Sequence, residues 1–137
     1  MVVHQLLSGA GPVDAVTGQA LVFREHFDRW GWTGSDAAAY VDPRMGRRIG
    51  ALDDLRPDPD DVLLFHYSAY APRLRDMLEL PNRKLLISHN VTPPRWLWGY
   101  EPMIAVQCAV GRAQLPAFAT AVDLAAGVSG YNADELR

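Results

Sequence analysis

The stretch RKLLISHNVTPPRW, residues 83–96, shows most directly how this chain is organised. Its apolar run Leu85–Ile87 predicts a strand buried on both faces, because apolar residues follow one another without alternation. Polar side chains follow at Ser88–Asn90, and then come Thr92 and the pair Pro93–Pro94. Proline rings restrict their own φ and hold the preceding residue extended, so this turn is stiff. A buried strand that opens onto fixed polar groups predicts a ligand crevice at its carboxyl end.

Apolar runs elsewhere predict further strands at residues 2–7, 35–42, 61–68 and 123–129, beside the one at 84–90. Between the first two strands, apolar residues recur at spacings of three and four, which predicts an amphipathic helix. The residues that we expect to face the sheet are Val16, Ala20, Phe23, Phe27 and Trp30. Alternation of strands and helices predicts an α/β, Rossmann-like three-layer domain with a mostly parallel sheet of about five strands. Pro116 predicts a kink or break in the helix before the last strand.

Length and composition place the chain among soluble globular domains. It has 137 residues, enough for one domain, and 49% of them are hydrophobic and 21% charged. Its net charge of −3 lacks the positive field that nucleic-acid binding needs. The single cysteine, Cys108, cannot form an internal disulfide. With no basic leader and no apolar segment of ~20 residues, we expect a cytoplasmic protein without an integral membrane segment or a nucleic-acid partner.

Polar residues follow several of the predicted strands, and the carboxyl ends of parallel strands meet at one edge of a sheet. We expect His89 to act as a catalytic or orienting group at this edge. The residues that we expect to contact a substrate beside it are Gly9, Gly11, Asp14, His66, Tyr67, Ser68, Asn90, Thr92, Ser129, Tyr131 and Asn132. This clustering at strand ends is the strongest functional feature of the sequence.

Several of these residues also have a structural role that the sequence leaves open. His89 could present its imidazole to a substrate hydroxyl, or it could bond to a loop carbonyl at the strand end. Asp14 could bind acceptor hydroxyls, or it could cap the helix that follows. Tyr67 could pack sideways and Ser68 could cap the next helix. The sequence favours these structural roles and contact with a ligand about equally.

The last residues of the chain form a helix-start pattern. Ser129 could meet a phosphate there, whereas Asn132 is favoured as the N-cap, with Glu135 three residues later completing a capping box. The sequence stops at Arg137, about one turn into this predicted helix. We therefore expect a chain cut off just as an element begins.

Two other groups of residues have a functional and a structural interpretation. Trp96, Trp98 and Tyr100 could stack on sugars or lie against a partner domain, but folding back on the core is favoured. A zinc site would need histidines to converge, yet no HxH or HExxH spacing is present. We expect no metal site.

Five segments, in order, resemble the N-terminal half of a retaining glycosyltransferase of the GT-B fold, with the closest likeness to bacterial family-four enzymes that use nucleotide sugars. The segments are VHQLLSGAGPVDAV, LLFHYS, LISHNVTPP, GRAQL and VSGYNADEL. The resemblance runs over nearly the whole chain. It implies an N-terminal domain that binds the acceptor and faces, across a cleft, a C-terminal domain that holds the nucleotide-sugar donor.

The resemblance also implies roles for particular residues. His89 would lie beside the transferred sugar and orient it through a hydroxyl, and the loop Gly9–Asp14 would approach the donor phosphates and the acceptor. Gly9-Ala10-Gly11 stands where the family has a Gly-Gly pair. Such enzymes need no metal or other cofactor, and basic residues and helix ends, mostly of the second domain, meet the charge on the departing phosphate.

These considerations predict the acceptor-binding half of a glycosyltransferase that works with retention. The donor domain is absent from the sequence, so we expect little or no activity from this chain alone. The expected partners are a carbohydrate or other hydroxyl-bearing acceptor and the missing C-terminal domain, and homo-oligomer formation stays open. The alternative is a stand-alone α/β module that binds a sugar or phosphate without catalysis. A small hydrolase is least favoured, because no G-x-S-x-G elbow supplies a nucleophile.

Overall fold

A computed structural model describes all residues, 1–137, as an α/β domain with one six-stranded parallel sheet. The strands are β1 (Val3–Leu7), β2 (Asp36–Ala38), β3 (Gly50–Ala51), β4 (Val62–Tyr67), β5 (Arg83–Ser88) and β6 (Leu124–Gly127). The helices are α1 (Ala15–Arg29), α2 (Pro72–Asp76), α3 (Pro102–Ala121) and α4 (Gly130–Asp134). The spatial order is β3-β2-β1-β4-β5-β6, the order of a doubly wound Rossmann sheet. The predicted fold class is confirmed.

The five predicted strands are present but shorter, and a sixth was missed. The run at residues 35–42 forms β2 only as far as Ala38, and an isolated bridge between Ala10 and Val41 continues its pairing with β1. The missed strand is β3, which has only two residues. Two residues cannot show a hydrophobic period, so only pairing with β2 defines this strand.

The central strands are covered on both faces, as their continuous apolar sequences predict. All of β1 and nearly all of β4 are buried, because α1 packs on one face while α2 and α3 pack on the other. Phe118 of α3 is fully buried against Phe65, with ring centroids 6.1 Å apart. Burial of such a ring stabilises the fold by about 1.5–3 kcal/mol. Burial alternates along β5, and Leu124 of β6 is 63% exposed, so this edge is only partly covered.

Helix α1 begins and ends where local chemistry changes. Asp14 is its N-cap, and Thr17, Ala20 and Phe27 are its buried residues. The expectation that Trp30 faces the sheet is wrong, because its side chain is 59% exposed. Trp30 is the C-cap, so the backbone leaves the helix there and the apolar stripe does not continue.

Helix α3 runs without interruption through Pro116, so the helix does not break there as predicted. A proline removes only its own N–H and crowds one turn, while the buried side chains of Leu115 and Phe118 hold both halves of the helix against the core. Although α3 has 20 residues, no helix of this structure combines the length and apolarity needed to cross a membrane.

The prediction that Asn132 caps the last helix is also wrong. Helix α4 begins at Gly130, and its N-cap is Ser129, whose Oγ accepts a hydrogen bond of 3.2 Å from the backbone N–H of Asn132. Asn132 therefore lies in the first turn, and Glu135 is the C-cap rather than part of a capping box. Serine and asparagine are equally good caps, so their sequence positions alone did not decide between them.

Candidate functional site

A cavity of about 380 Å³ opens at the carboxyl ends of β1 and β4. These two strands are neighbours, and the strand order reverses between them, which is where open α/β sheets bind ligands. Its polar residues and glycines are Ser8, Gly9, Gly11, Asp14, Tyr40, Asp42 and Ser68. Four of the predicted contact residues, Gly9, Gly11, Asp14 and Ser68, are thus brought together. We call this cavity the β1–β4 crevice.

Ser8 joins the ends of the two strands at the floor of this crevice. Its backbone N–H donates to the carbonyl of His66 at 3.3 Å, and its Oγ accepts from the backbone N–H of Ser68 at 3.2 Å. Ser68 therefore lies at the crevice, and it does not cap α2, whose N-cap is Ala71. The hydrogen bonds fix the spacing of the two strand ends.

Asp14 caps α1 and lines the crevice at the same time. Its Oδ2 accepts from the backbone N–H of Thr17 at 2.7 Å and from the hydroxyl of Thr17 at 2.6 Å. The Thr17 hydroxyl oxygen in turn accepts from the backbone N–H of Gly11 at 3.1 Å. The start of α1 thus already holds a carboxylate, which opposes a second anion there. Both roles considered for Asp14 are compatible, and the crevice is better suited to hydroxyl groups than to phosphate at this point.

The glycines of the loop after β1 are not required by the fold. A Cβ on Gly9 would come no closer than 3.8 Å to the chain, at the carbonyl oxygen of Tyr40. On Gly11 the nearest atom would be Cβ of Asp14 at 3.9 Å. These are ordinary contact distances, and neither glycine has a positive φ. The absence of side chains leaves space in the crevice that the protein itself does not fill.

Tyr40 and Asp42 complete the crevice, and sequence analysis missed both. Tyr40 is 68% exposed and follows the end of β2. Arg44 donates to Asp42 at 3.0 and 2.7 Å, and these bonds lower the Asp42 pKa to about 2, so the carboxylate is ionised at neutral pH. Sequence analysis placed both inside the strand predicted at 35–42, whereas the structure ends β2 at Ala38, so both residues follow a strand end at this edge.

His66 and His89 form a hydrogen-bonded pair beside the crevice. Nδ1 of His66 lies 3.0 Å from Nε2 of His89, and the rings stack with centroids 5.2 Å apart. His66 is fully buried, and burial, together with His89, lowers its pKa to about 3. Burial also lowers the pKa of His89, while the charge of Asp14 opposes that shift. His89 is half-buried and reaches the edge, whereas His66 can act only through it.

Tyr67 does not reach the crevice. It is fully buried, and its hydroxyl donates to the carbonyl of Gly111 in α3 at 2.9 Å. Burial raises the Tyr67 pKa to about 12, with a smaller contribution from Tyr70. Alternation along the strand explains this, because His66 and Tyr67 point to opposite faces of the sheet.

Asn90 and Thr92 are exposed on the loop after β5, and Asn90 has a left-handed backbone with φ of 71°. This loop is held by Arg112 of α3, whose Nη1 donates to the carbonyl of Val91 at 2.8 Å. Arg112 also forms an ion pair with Glu135. Sequence analysis placed Arg112 in the GRAQL segment but assigned it no role, and it connects the β5 loop to α4.

Ser129, Tyr131 and Asn132 follow the carboxyl end of β6, the outermost strand, and β5 lies between them and the β1–β4 crevice. Ser129 is occupied as the cap of α4, and Tyr131 is 56% exposed. Asn132 is buried, and its Oδ1 has no hydrogen-bond partner. The predicted site residues therefore form two groups, one at β1 and β4 and one at β6, with His89 between them.

The aromatic residues 96–100 do not fold back on the core as expected. Trp96, Trp98 and Tyr100 are 64%, 53% and 85% exposed. Arg95 lies over the ring of Trp96, at 5.1 Å from the centroid. The segment follows the double proline and begins with a short 3₁₀ turn at Pro94–Trp96.

The three histidines considered for a metal site do not converge. Nε2 of His4 lies 3.0 Å from Oδ2 of Asp61, whereas His66 and His89 pair with each other. No group of three His, Cys, Asp or Glu side chains is placed to hold a metal ion.

Comparisons of the chain with protein-family models, with curated proteins and with solved structures found no match. Fold and site together define a Rossmann-like α/β domain with a polar crevice at the reversal point of its sheet. Function must therefore be argued from the crevice itself.

Proposed function

We propose that this chain is the acceptor-binding domain of a retaining glycosyltransferase of the GT-B type, which moves a sugar from a nucleotide-sugar donor to an acceptor hydroxyl. The observation that carries the proposal is the β1–β4 crevice at the reversal point of the sheet, with polar side chains on its walls. The resemblance of the segments around β1, β4 and β5 to that family points to the same edge.

The polar groups of the crevice suit a ligand with several hydroxyls. Asp14 and Asp42 offer carboxylate oxygens, and Ser68 and Tyr40 offer hydroxyls that can donate or accept. Gly9 and Gly11 leave the space beside them open. A sugar ring presents hydroxyl donors at fixed spacing, which matches a wall composed mainly of acceptors.

The same crevice is a poor site for a diphosphate. No arginine or lysine lines it, and the guanidinium of Arg44, which is bonded to the crevice residue Asp42, is already paired with that carboxylate. Stabilisation of developing phosphate charge is usually the largest part of such catalysis, and it needs preorganised cationic or N–H groups. A second domain would supply them, so the isolated chain is expected to have little or no transferase activity.

The experiment is a titration of the chain with glucose, mannose, uridine diphosphate glucose and guanosine diphosphate mannose, followed through backbone amide shifts. We expect weak binding with shifts at Gly9, Gly11 and Ser68, and no transfer of sugar. Gly9→Val should abolish these shifts by filling the crevice, whereas Gly18→Ala, on the exposed side of α1, should not. Rapid sugar transfer by the chain alone, or binding that Gly9→Val does not affect, would contradict the proposal.

The second candidate is a stand-alone α/β module that binds a sugar without catalysis, and the same crevice supports it. The coding frame beyond Arg137 separates the two. A frame that continues into a second Rossmann-like domain with paired glutamates supports the transferase. We propose that this enzyme acts in the cytoplasm. A stop codon after Arg137, together with saturable sugar binding, would favour the module.

A further inference from the structure

A continuous chain of hydrogen bonds crosses the α1 face of the sheet and ends at His89. Nη2 of Arg24 donates to Oδ1 of Asp36 at 2.7 Å, and Asp36 accepts from Nε2 of Gln5 at 2.9 Å. Oε1 of Gln5 lies 3.0 Å from Nε2 of His66, and Nδ1 of His66 lies 3.0 Å from Nε2 of His89. Gln5, Asp36 and His66 are buried, so water does not compete for these bonds.

The partners of Gln5 decide which way its amide points. Its Nε2 also lies 2.8 Å from the backbone carbonyl of Ala20, and a carbonyl can only accept. Asp36, paired with Arg24, is likewise an acceptor. Both amide hydrogens are thus used, and Oε1 is left to accept. The atom that donates to it is Nε2 of His66, which must therefore carry a proton.

The protonation of His66 then decides that of His89. His66 is buried and neutral, so a proton on Nε2 leaves Nδ1 with a lone pair. A lone pair at Nδ1 requires the facing Nε2 of His89 to donate. His89 consequently keeps its proton on Nε2, and its Nδ1 is free. Nδ1 of His89 has no hydrogen-bond partner in the chain. Because it is also not one of the buried atoms that lack a partner, it is exposed to solvent.

We propose that Gln5 and His66 are positioning residues that lock His89 in the Nε2–H tautomer, so that its Nδ1 serves as a hydrogen-bond acceptor for a hydroxyl of the bound ligand. The last part rests on the proposed function. The neighbouring carboxylate of Asp14 is a second acceptor, since its charge acts on His89 and it lines the crevice. The edge then selects ligand groups that donate, such as hydroxyls, over carbonyl and ether oxygens.

The lock is tested by nuclear magnetic resonance on the chain labelled with ¹⁵N in histidine only. The pair His66–His89 is the one N–H···N hydrogen bond between labelled nitrogens. We expect a ¹⁵N–¹⁵N coupling across it, with the proton covalently on Nε2 of His89. Absence of the coupling, or a proton on Nδ1 of His66, would overturn the proposal in the wild-type chain, whatever the variants do.

Gln5→Met keeps the length of the side chain but removes the acceptor of His66. We expect the proton between the two rings to be shared, so that Nδ1 of His66 gains a one-bond N–H coupling at the expense of Nε2 of His89. A proton that stays wholly on Nε2 of His89 would show that Gln5 does not position the pair. His4→Gln is the matched control, because His4 is a buried histidine bonded to Asp61 and to the N–H of Ser35, outside this chain of bonds. It should leave the proton on Nε2 of His89.

The ligand part is tested by adding glucose or uridine diphosphate glucose to the labelled chain. A shift of the Nδ1 resonance of His89 supports it, and binding that moves Gly9 and Ser68 without moving Nδ1 overturns it. If neither probe moves any crevice residue, the proposed function fails, whereas the coupling and the nitrogen that holds its proton still decide the tautomer lock.

Discussion

The buried imidazole of His66 should make the stability of the domain fall in mildly acidic solution. Folding lowers its pKa from 6.5 to about 3, because burial disfavours the imidazolium and His89 adds to the effect. Between these values the unfolded chain binds a proton that the native state does not. This contribution to stability is therefore fully present above the unfolded pKa and is lost as pH falls through it towards the folded value.

The magnitude follows from one proton. Stability changes by about 1.4 kcal/mol per pH unit in the window, so a fall from about pH 7.5 to about pH 5 should lower the free energy of unfolding by about 2 kcal/mol through His66. His89 adds to the loss, because burial lowers its pKa as well. The ordinary pKa values of carboxyl groups lie below this window.

Urea unfolding at several pH values, followed by tryptophan fluorescence, measures this loss. His66→Gln should remove about 2 kcal/mol of the pH-dependent change, since glutamine does not titrate. Tyr67→Phe is the matched control in the same strand, and it should cost roughly 1 kcal/mol at every pH by deleting the bond to Gly111. If His66→Gln retains the full pH dependence, or if Tyr67→Phe loses it, burial of a neutral His66 is not its cause.

Three further single substitutions test the backbone, helix α1 and the buried ion pair of the fold. Gly34→Ala should prevent folding, because Gly34 has φ of +142° and a Cβ there would lie 2.0 Å from the carbonyl oxygen of Val3; circular dichroism showing a native fold would contradict this. Gly18→Ala should instead raise the free energy of unfolding by about 0.5–1 kcal/mol in urea, since α1 gains a better helix former with nothing within 4 Å. Arg24→Met should cost about 3–5 kcal/mol by leaving buried Asp36 without its cation, and the loss should shrink in the double variant with Asp36→Asn; equal losses in both would refute the pairing.

Elements with a clear local pattern could be predicted from the sequence, and those defined by distant partners could not. The apolar runs that form β1, β4 and β5 and the stripe of α1 appeared at nearly the right residues. Strand β3 was missed because it consists of two residues held by β2. The break predicted at Pro116 does not occur, because burial of its neighbours in α3 outweighs the local cost of a proline in a helix.

The candidate site divides in the same way. Gly9, Gly11, Asp14 and Ser68 were expected from their position at strand ends, and they do line the crevice. Tyr67 was misplaced because a strand end does not reveal which face of the sheet each of its side chains meets.

The sequence by itself determined the class of fold and the edge at which polar groups collect, because both follow from periodicity and strand direction along short segments. Only the tertiary structure decided that β1 lies beside β4, which creates the crevice, and that Gln5 meets His66 across 61 positions of the chain. The proposed protonation of His89 depends on this hydrogen bond between Gln5 and His66. Hydrogen bonds between distant strands have no local pattern, since they arise only when the sheet assembles in one order and register.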